Sequence, residues 1–158
     1  MKRISLFLAS LLLTLVATAS PQYTVTHRTN AMSDLVTAIG ATGALMILTG
    51  AQPASVATVD SGTVLAVLSL SATAGTASGG VLTFNSITSA TASATGTAAH
   101  FLICTTNNTA NCVAASSSTR IIQGSVATSG ADLNFGSVAF SSGQTVSVTS
   151  FTITATGA

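Results

Sequence analysis

Side chains that can move a proton or hold a charge are scarce in this chain. Its 158 residues include four Lys or Arg, three Asp and two His, with no Glu and no Trp. The imidazoles are His27 and His100, and the carboxylates are Asp34, Asp60 and Asp132. General acid–base and nucleophilic catalysis need such groups set against each other in a cleft. A Ser-His-Asp set is arithmetically available, but the G-x-S-x-G turn that marks one form of it is absent. Asp60 and Asp132 would make a glycosidase pair only through a fold contact that no spacing suggests. Asp132 with Asn134 lacks the third acidic ligand that a calcium loop would supply. Asp34 falls in a helical segment and the other two in turns, where Asp ordinarily caps or turns the backbone. The turns Ser78-Gly79-Gly80 and Ser129-Gly130 are followed by neither Lys nor a helix, so they are not phosphate cradles. The expectation is therefore a protein that is not an enzyme, with no catalytic residues, no cofactor and no metal.

The two cysteines, Cys104 and Cys112, are separated by Thr-Thr-Asn-Asn-Thr-Ala-Asn, a polar stretch of turn character. Two strands joined by that loop would bring them together as a hairpin-closing disulfide. A metal site lacks companion ligands, and a redox pair usually has C-x-x-C spacing. Free thiols are the other reading. Asn107-Asn108-Thr109 matches a glycosylation sequon, which matters only in a eukaryotic secretory pathway.

A disulfide fits the N-terminus. Lys2 and Arg3 precede an apolar run from Ile4 to Val16, and Ala17-Thr18-Ala19 is an A-x-A cleavage pattern. Residues 1–19 read as a signal peptide, or as an extension from a misassigned start. The run barely reaches the roughly 20 residues that a membrane anchor needs, so no membrane association is expected after signal removal.

The elements that must position these residues follow from periodicity and punctuation. Ala31, Met32, Leu35, Val36 and Ile39 recur at helical spacing, with Thr29 or Asn30 as N-cap and Gly40 as stop. Residues 20–40 are thus a leader and an amphipathic helix. Beyond them the pattern is strand and turn. Leu45–Thr49, Thr63–Leu70, Val81–Ile87, Thr97–Thr105, Arg120–Thr128, Ser137–Phe140 and Thr145–Thr154 read as strands between Gly, Ser and Asp turns. The last has apolar groups on both faces and so is expected to be covered on both. Thr88–Ala99 reads as a flexible linker or a strand edge. Phe84, Phe101, Phe135, Phe140 and Phe151 occupy apolar strand positions and are expected in the core, not on a sugar-stacking surface. Residues 41–158 are expected to form a mainly β domain, an antiparallel, jelly-roll-like β-sandwich, with the short N-terminal helix packed across it.

Composition narrows the function classes. The chain is 47% hydrophobic with a formal charge of +1, which argues against disorder throughout. Arg28 and Arg120 cannot supply the several phosphate contacts of nucleic-acid binding. A surface of hydroxyls and small apolar groups has little electrostatic repulsion and suits close packing against a neighbour.

From about Thr29 the chain resembles a group of small β-rich proteins encoded among the virion genes of tailed bacteriophages. The resemblance lies in Asn30-Ala31-Met32 with Leu35 and Ile39, in LMILTGAQP (45–53), and in Gly79-Gly80-Val81-Leu82-Thr83. It continues in Ala94–Ala98, in Gly124-Ser125-Val126, in Thr128–Asn134 and in VSVTSFTIT (146–154). It implies a non-enzymatic virion component, a capsid decoration or tail-associated protein, whose partners are other virion proteins or copies of itself. Residues 1–22 and the Cys104–Cys112 loop depart from that pattern. They point to the alternative, a secreted or cell-surface adhesion module that could take a glycan.

Overall fold

The computed structural model describes residues 22–114 and 118–156. The signal-like segment 1–19 lies outside them. The first element is helix α1, Val25–Ile39. Its N-cap is Thr24, in place of the expected Thr29 or Asn30, and the Thr24 side chain accepts the His27 backbone N–H at 3.3 Å. In the added turn Val25, Thr26 and His27 are exposed and Arg28 and Thr29 half-buried, and it carries no apolar stripe, so periodicity could not reveal it. Gly40 ends the helix as expected, its N–H donating to Val36 O. Met32 and Ile39 are buried, and Leu35 and Val36 partly so.

The rest is mainly β, as the punctuation suggests. The strands are β1 (Ala44–Leu48), β2 (Val64–Ser69), β3 (Gly75–Ser78), β4 (Val81–Phe84), β5 (Ala90–Thr91) and β6 (Gly96–Thr97). Next come β7 (His100–Cys104), helix α2 (Thr109–Val113) and β8 (Arg120–Ala127). The chain continues with β9 (Leu133–Asn134), β10 (Ala139–Phe140), β11 (Thr145–Val146) and β12 (Thr152–Thr154). They form a five-stranded sheet in the order β2-β1-β7-β8-β9, a three-stranded sheet β12-β4-β3, and two-stranded ladders β10-β6 and β11-β5. Pairing is antiparallel, with the exception of β8 and β9, which run parallel over two residues.

Two expectations are corrected. The segment 145–154 is not one strand covered on both faces. It breaks after Val146 and resumes at Thr152 against β4. Val146 and Val148 are buried and then Phe151, so the inward parity flips within the break, where the chain changes sheets. The cysteines, too, do not sit on two strands of one hairpin. Cys104 ends β7, but Cys112 lies in α2, within the connection to β8. Residues 88–99 hold two short strands, the edge reading and not the linker.

β1 and β7 are buried along their whole length, so the five-stranded sheet is covered on both faces. On one face Leu45, Ile47, Phe101 and Ile103 join the main core with Met32, Leu82 and Phe84. Phe151 stacks on Phe84 at 4.9 Å and meets Phe101 edge-on at 5.2 Å, joining residues of both larger sheets. On the opposite face Met46, Leu48, Leu102, Cys104 and Cys112 make a smaller cluster. Gly79 and Gly80, both with positive φ, make the two-residue turn between β3 and β4, a conformation that favours glycine.

Candidate functional site

The smaller core face carries the buried ionisable groups found among the described residues, His100 and Arg120, with Asp60 against them. Residues opposite one another in an antiparallel ladder share a face. Leu48 pairs with His100, Met46 with Leu102, and Ala44 with Cys104. On the far side of β7, Ser125 pairs with His100, Gln123 with Leu102 and Arg120 with Cys104. His100, Arg120 and Gln123 therefore project from the same face as the small apolar cluster. Over them lies the segment 49–63, which has no regular secondary structure. Its ends are closed by Thr49 N–H to Thr63 O at 3.0 Å and by Thr63 N–H to Thr49 Oγ1 at 2.9 Å. This is the geometry of an Ω-loop.

Asp60 comes from that loop and is buried against His100, which is 0% exposed. His100 Nε2 and Asp60 Oδ2 are 2.7 Å apart. The other ring nitrogen, Nδ1, donates to Gly50 O at 3.2 Å. Asp60 Oδ1 accepts the Gly62 N–H at 2.7 Å, and the Asp60 N–H donates to Val113 O at 2.9 Å. Asp60-Ser61-Gly62 is thus the turn its sequence suggests, and Asp60 is also one half of a buried hydrogen-bonded pair with His100. Gly62 must be glycine: a Cβ there would run into Thr49 O and approach Asp60 Oδ1 at 3.0 Å.

Arg120 is 1% exposed. Its Nη1 donates to Thr58 O at 2.7 Å, and Nε and Nη2 donate to Cys112 O at 3.1 and 3.0 Å. Nη2 also reaches Val113 O at 3.0 Å. Cys112 and Val113 end α2, where helix carbonyls lack intrahelical partners and a cation is favoured. Burial pushes the Arg120 guanidinium down from its ordinary value, and the nearby Asp60 carboxylate offsets part of that. Gln123 Nε2 completes the set with a 2.7 Å bond to Pro53 O. Three side chains of one sheet face thus hold the loop at Gly50, Pro53, Thr58 and Asp60. The disulfide Cys104–Cys112, with Cα atoms 5.9 Å apart, ties α2 to the same sheet.

The chemistry this permits is clamping. His100 has both ring nitrogens engaged, so neither is free to take a proton from a serine. Ser125, the serine opposite it in register, donates its hydroxyl to Asp132 Oδ2 at 2.7 Å. Asp132 Oδ2 also accepts the Ser125 N–H at 2.8 Å. The Ser125 N–H and then its hydroxyl hold the Asp132 carboxyl below its ordinary value, against a smaller effect of burial. Asn134 Oδ1 accepts the Ala131 N–H at 3.1 Å and its Nδ2 donates to Ala131 O at 3.0 Å, so the 131–134 turn is closed by the Asn134 side chain. Among the described residues, no three His, Cys, Asp or Glu come together as metal ligands. Nor is any described helix long and apolar enough to cross a membrane. Asn107 is exposed, and Asn108 caps α2.

Sequence reasoning singled out the Cys104–Cys112 pair but missed the convergence of Asp60, His100 and Arg120. The available signal was scarcity itself. In a chain with so few charges, Arg120 opening an apolar strand and His100 preceding Phe-Leu-Ile each call for a buried partner. No protein family, curated protein or solved structure matches the chain.

Proposed function

We propose that this is a non-enzymatic structural protein of a tailed-phage particle, a capsid decoration or tail-associated component that docks onto copies of itself or onto other virion proteins. The observation that carries this reading is the clamped loop 49–63. Asp60, His100 and Arg120 face inward and fix the loop, leaving its outer surface without charge. Ala51, Gln52, Ala54, Ser55, Ala57, Thr58 and Val59 are exposed there, Val59 by 62%. A rigid, uncharged surface loses little entropy and meets little repulsion when it packs against a partner. The resemblance of residues 29–154 to virion proteins supports the particle as the setting. Mass spectrometry of purified particles tests it. The protein should co-purify with particles at a fixed ratio to the major capsid or tail protein, and Val59→Asp should lower that ratio severalfold.

A second reading is favoured by the disulfide, since such bonds persist in oxidising compartments. It is a secreted or cell-surface adhesion module. Absence from particles, with recovery of a processed monomer from the medium that binds cells or glycans, would replace the first reading with this one.

A further inference from the structure

A second candidate site lies on elements that contribute no residue to the clamped loop. The first turns of α1 and the segment after β12 border an open hollow of about 420 Å³, lined by Tyr23, His27, Arg28, Met32 and Ala155 among others. That volume is within the range of small-molecule sites, roughly 300–1,000 Å³. Tyr23 is the chain's only tyrosine, and His27 and Arg28 are drawn from two His and very few cations. Their meeting in one largely apolar hollow sets it apart from the rest of the surface.

Arg28 is held but not neutralised. A Cβ at Gly80 would lie 3.0 Å from Arg28 Cβ and 3.6 Å from its Nε, so the side chain rests in space that the Gly79-Gly80 turn leaves open. The turn is tied back to the helix by the Gly80 N–H, which donates to Thr29 Oγ1 at 3.0 Å. Arg28 Nε is buried with no hydrogen-bond partner among the described residues, and no carboxylate there forms an ion pair with the guanidinium. A buried donor without a partner is unfavourable. A planar guanidinium in this state is matched by a carboxylate, which accepts two parallel N–H bonds. A phosphate dianion would call for more positive charge than one arginine supplies. His27 Nδ1 is 2.9 Å from Thr24 Oγ1, and its Nε2 has no hydrogen-bond partner among the described residues. Met32, Ala31 and Ala155 offer apolar wall to the body of a ligand.

We propose that this cavity binds a small carboxylate with an apolar tail, the carboxylate on Arg28 and the tail against Met32 and Ala155. The chain has one Tyr and no Trp, so intrinsic fluorescence reports on Tyr23 at the site itself. The experiment titrates the full protein with 4-methylpentanoate, 4-methylpentanamide and acetate at constant ionic strength. The expected result is saturable change with 4-methylpentanoate, at least about tenfold tighter than with the amide or with acetate. Arg28→Gln should bring the carboxylate to the level of the amide, with an unchanged far-UV spectrum. Three results overturn the proposal: equal affinity for acid and amide, equal affinity for 4-methylpentanoate and acetate, or no saturation with 4-methylpentanoate. The acid–amide comparison is made on the unmodified protein, so it stands even if the variant does not fold.

Discussion

Asp60 and His100 illustrate how a residue's role follows from its surroundings. Both are buried, both of His100's ring nitrogens are engaged, and both carboxylate oxygens of Asp60 accept bonds. A buried pair adds little net stability, because desolvation offsets attraction, but removing one partner strands the other. Asp60→Ala leaves the imidazole and the Gly62 N–H unpaired and should cost about 3–5 kcal/mol, read as a drop in the urea midpoint. Asp132 is a different case. It is exposed, and its carboxyl is depressed chiefly by the Ser125 N–H and hydroxyl. A depressed carboxyl stabilises the fold above its unfolded value, about 3.9, and that contribution is lost as pH falls through the lower folded value. The stability difference between wild type and Asp132→Asn should therefore be constant from pH 5 to 7, by order of magnitude of these values, and shrink below about pH 4. Solvent screening keeps it small. Unfolding curves at several pH values check this; a difference that grows in acid would contradict it.

Elements with a strong local signal were legible in the sequence. β1 is an unbroken apolar run and β7 is one after His100, and both prove buried on both faces. α1 was legible only where its apolar stripe reaches the core, from Met32 onward, because a solvent-facing first turn is fixed by the Thr24 cap and not by a pattern. The break in 145–154 was hidden because alternation reads the same on either side of a change of sheet. The candidate site was less legible still: Asp60 and His100 are 40 residues apart, and only the register of β1, β7 and β8 brings Gln123 and Arg120 onto the same face. The disulfide was legible as a pair, but its setting was not, since α2 is too short to show a helical period. Its bond closes a span of eight residues, which in the chain-entropy model is worth about 2–3 kcal/mol. Replacing both cysteines by Ala should lower stability by that amount without unfolding the domain, because Arg120 still holds the α2 carbonyls. Chemical denaturation of the double variant measures it; complete unfolding in water would show the bond carries more than the Arg120 contacts do.

At the scale of the whole molecule, three of the described ionisable side chains, Asp60, His100 and Arg120, are buried beneath one loop, which keeps that loop's outer surface uncharged. Charged side chains more commonly face water, as Asp34 and Asp132 do here. The consequence of that burial is a loop of 15 residues with little regular structure that is nonetheless fixed at four points by the sheet beneath it. Docking through an uncharged face then requires no ordering step at the moment of contact, and salt should affect it weakly. The proposed docking depends on that fixation, and hydrogen–deuterium exchange of the segment 49–63 tests it most directly. The amides of Asp60, Gly62 and Thr63 are predicted to exchange slowly in the wild-type protein. In Asp60→Ala the protection should fall there while peptides of β4 and β12 keep theirs. Exchange of the 60–63 amides at the rate of an unstructured peptide in the wild-type protein would contradict the clamp and the function proposed from it.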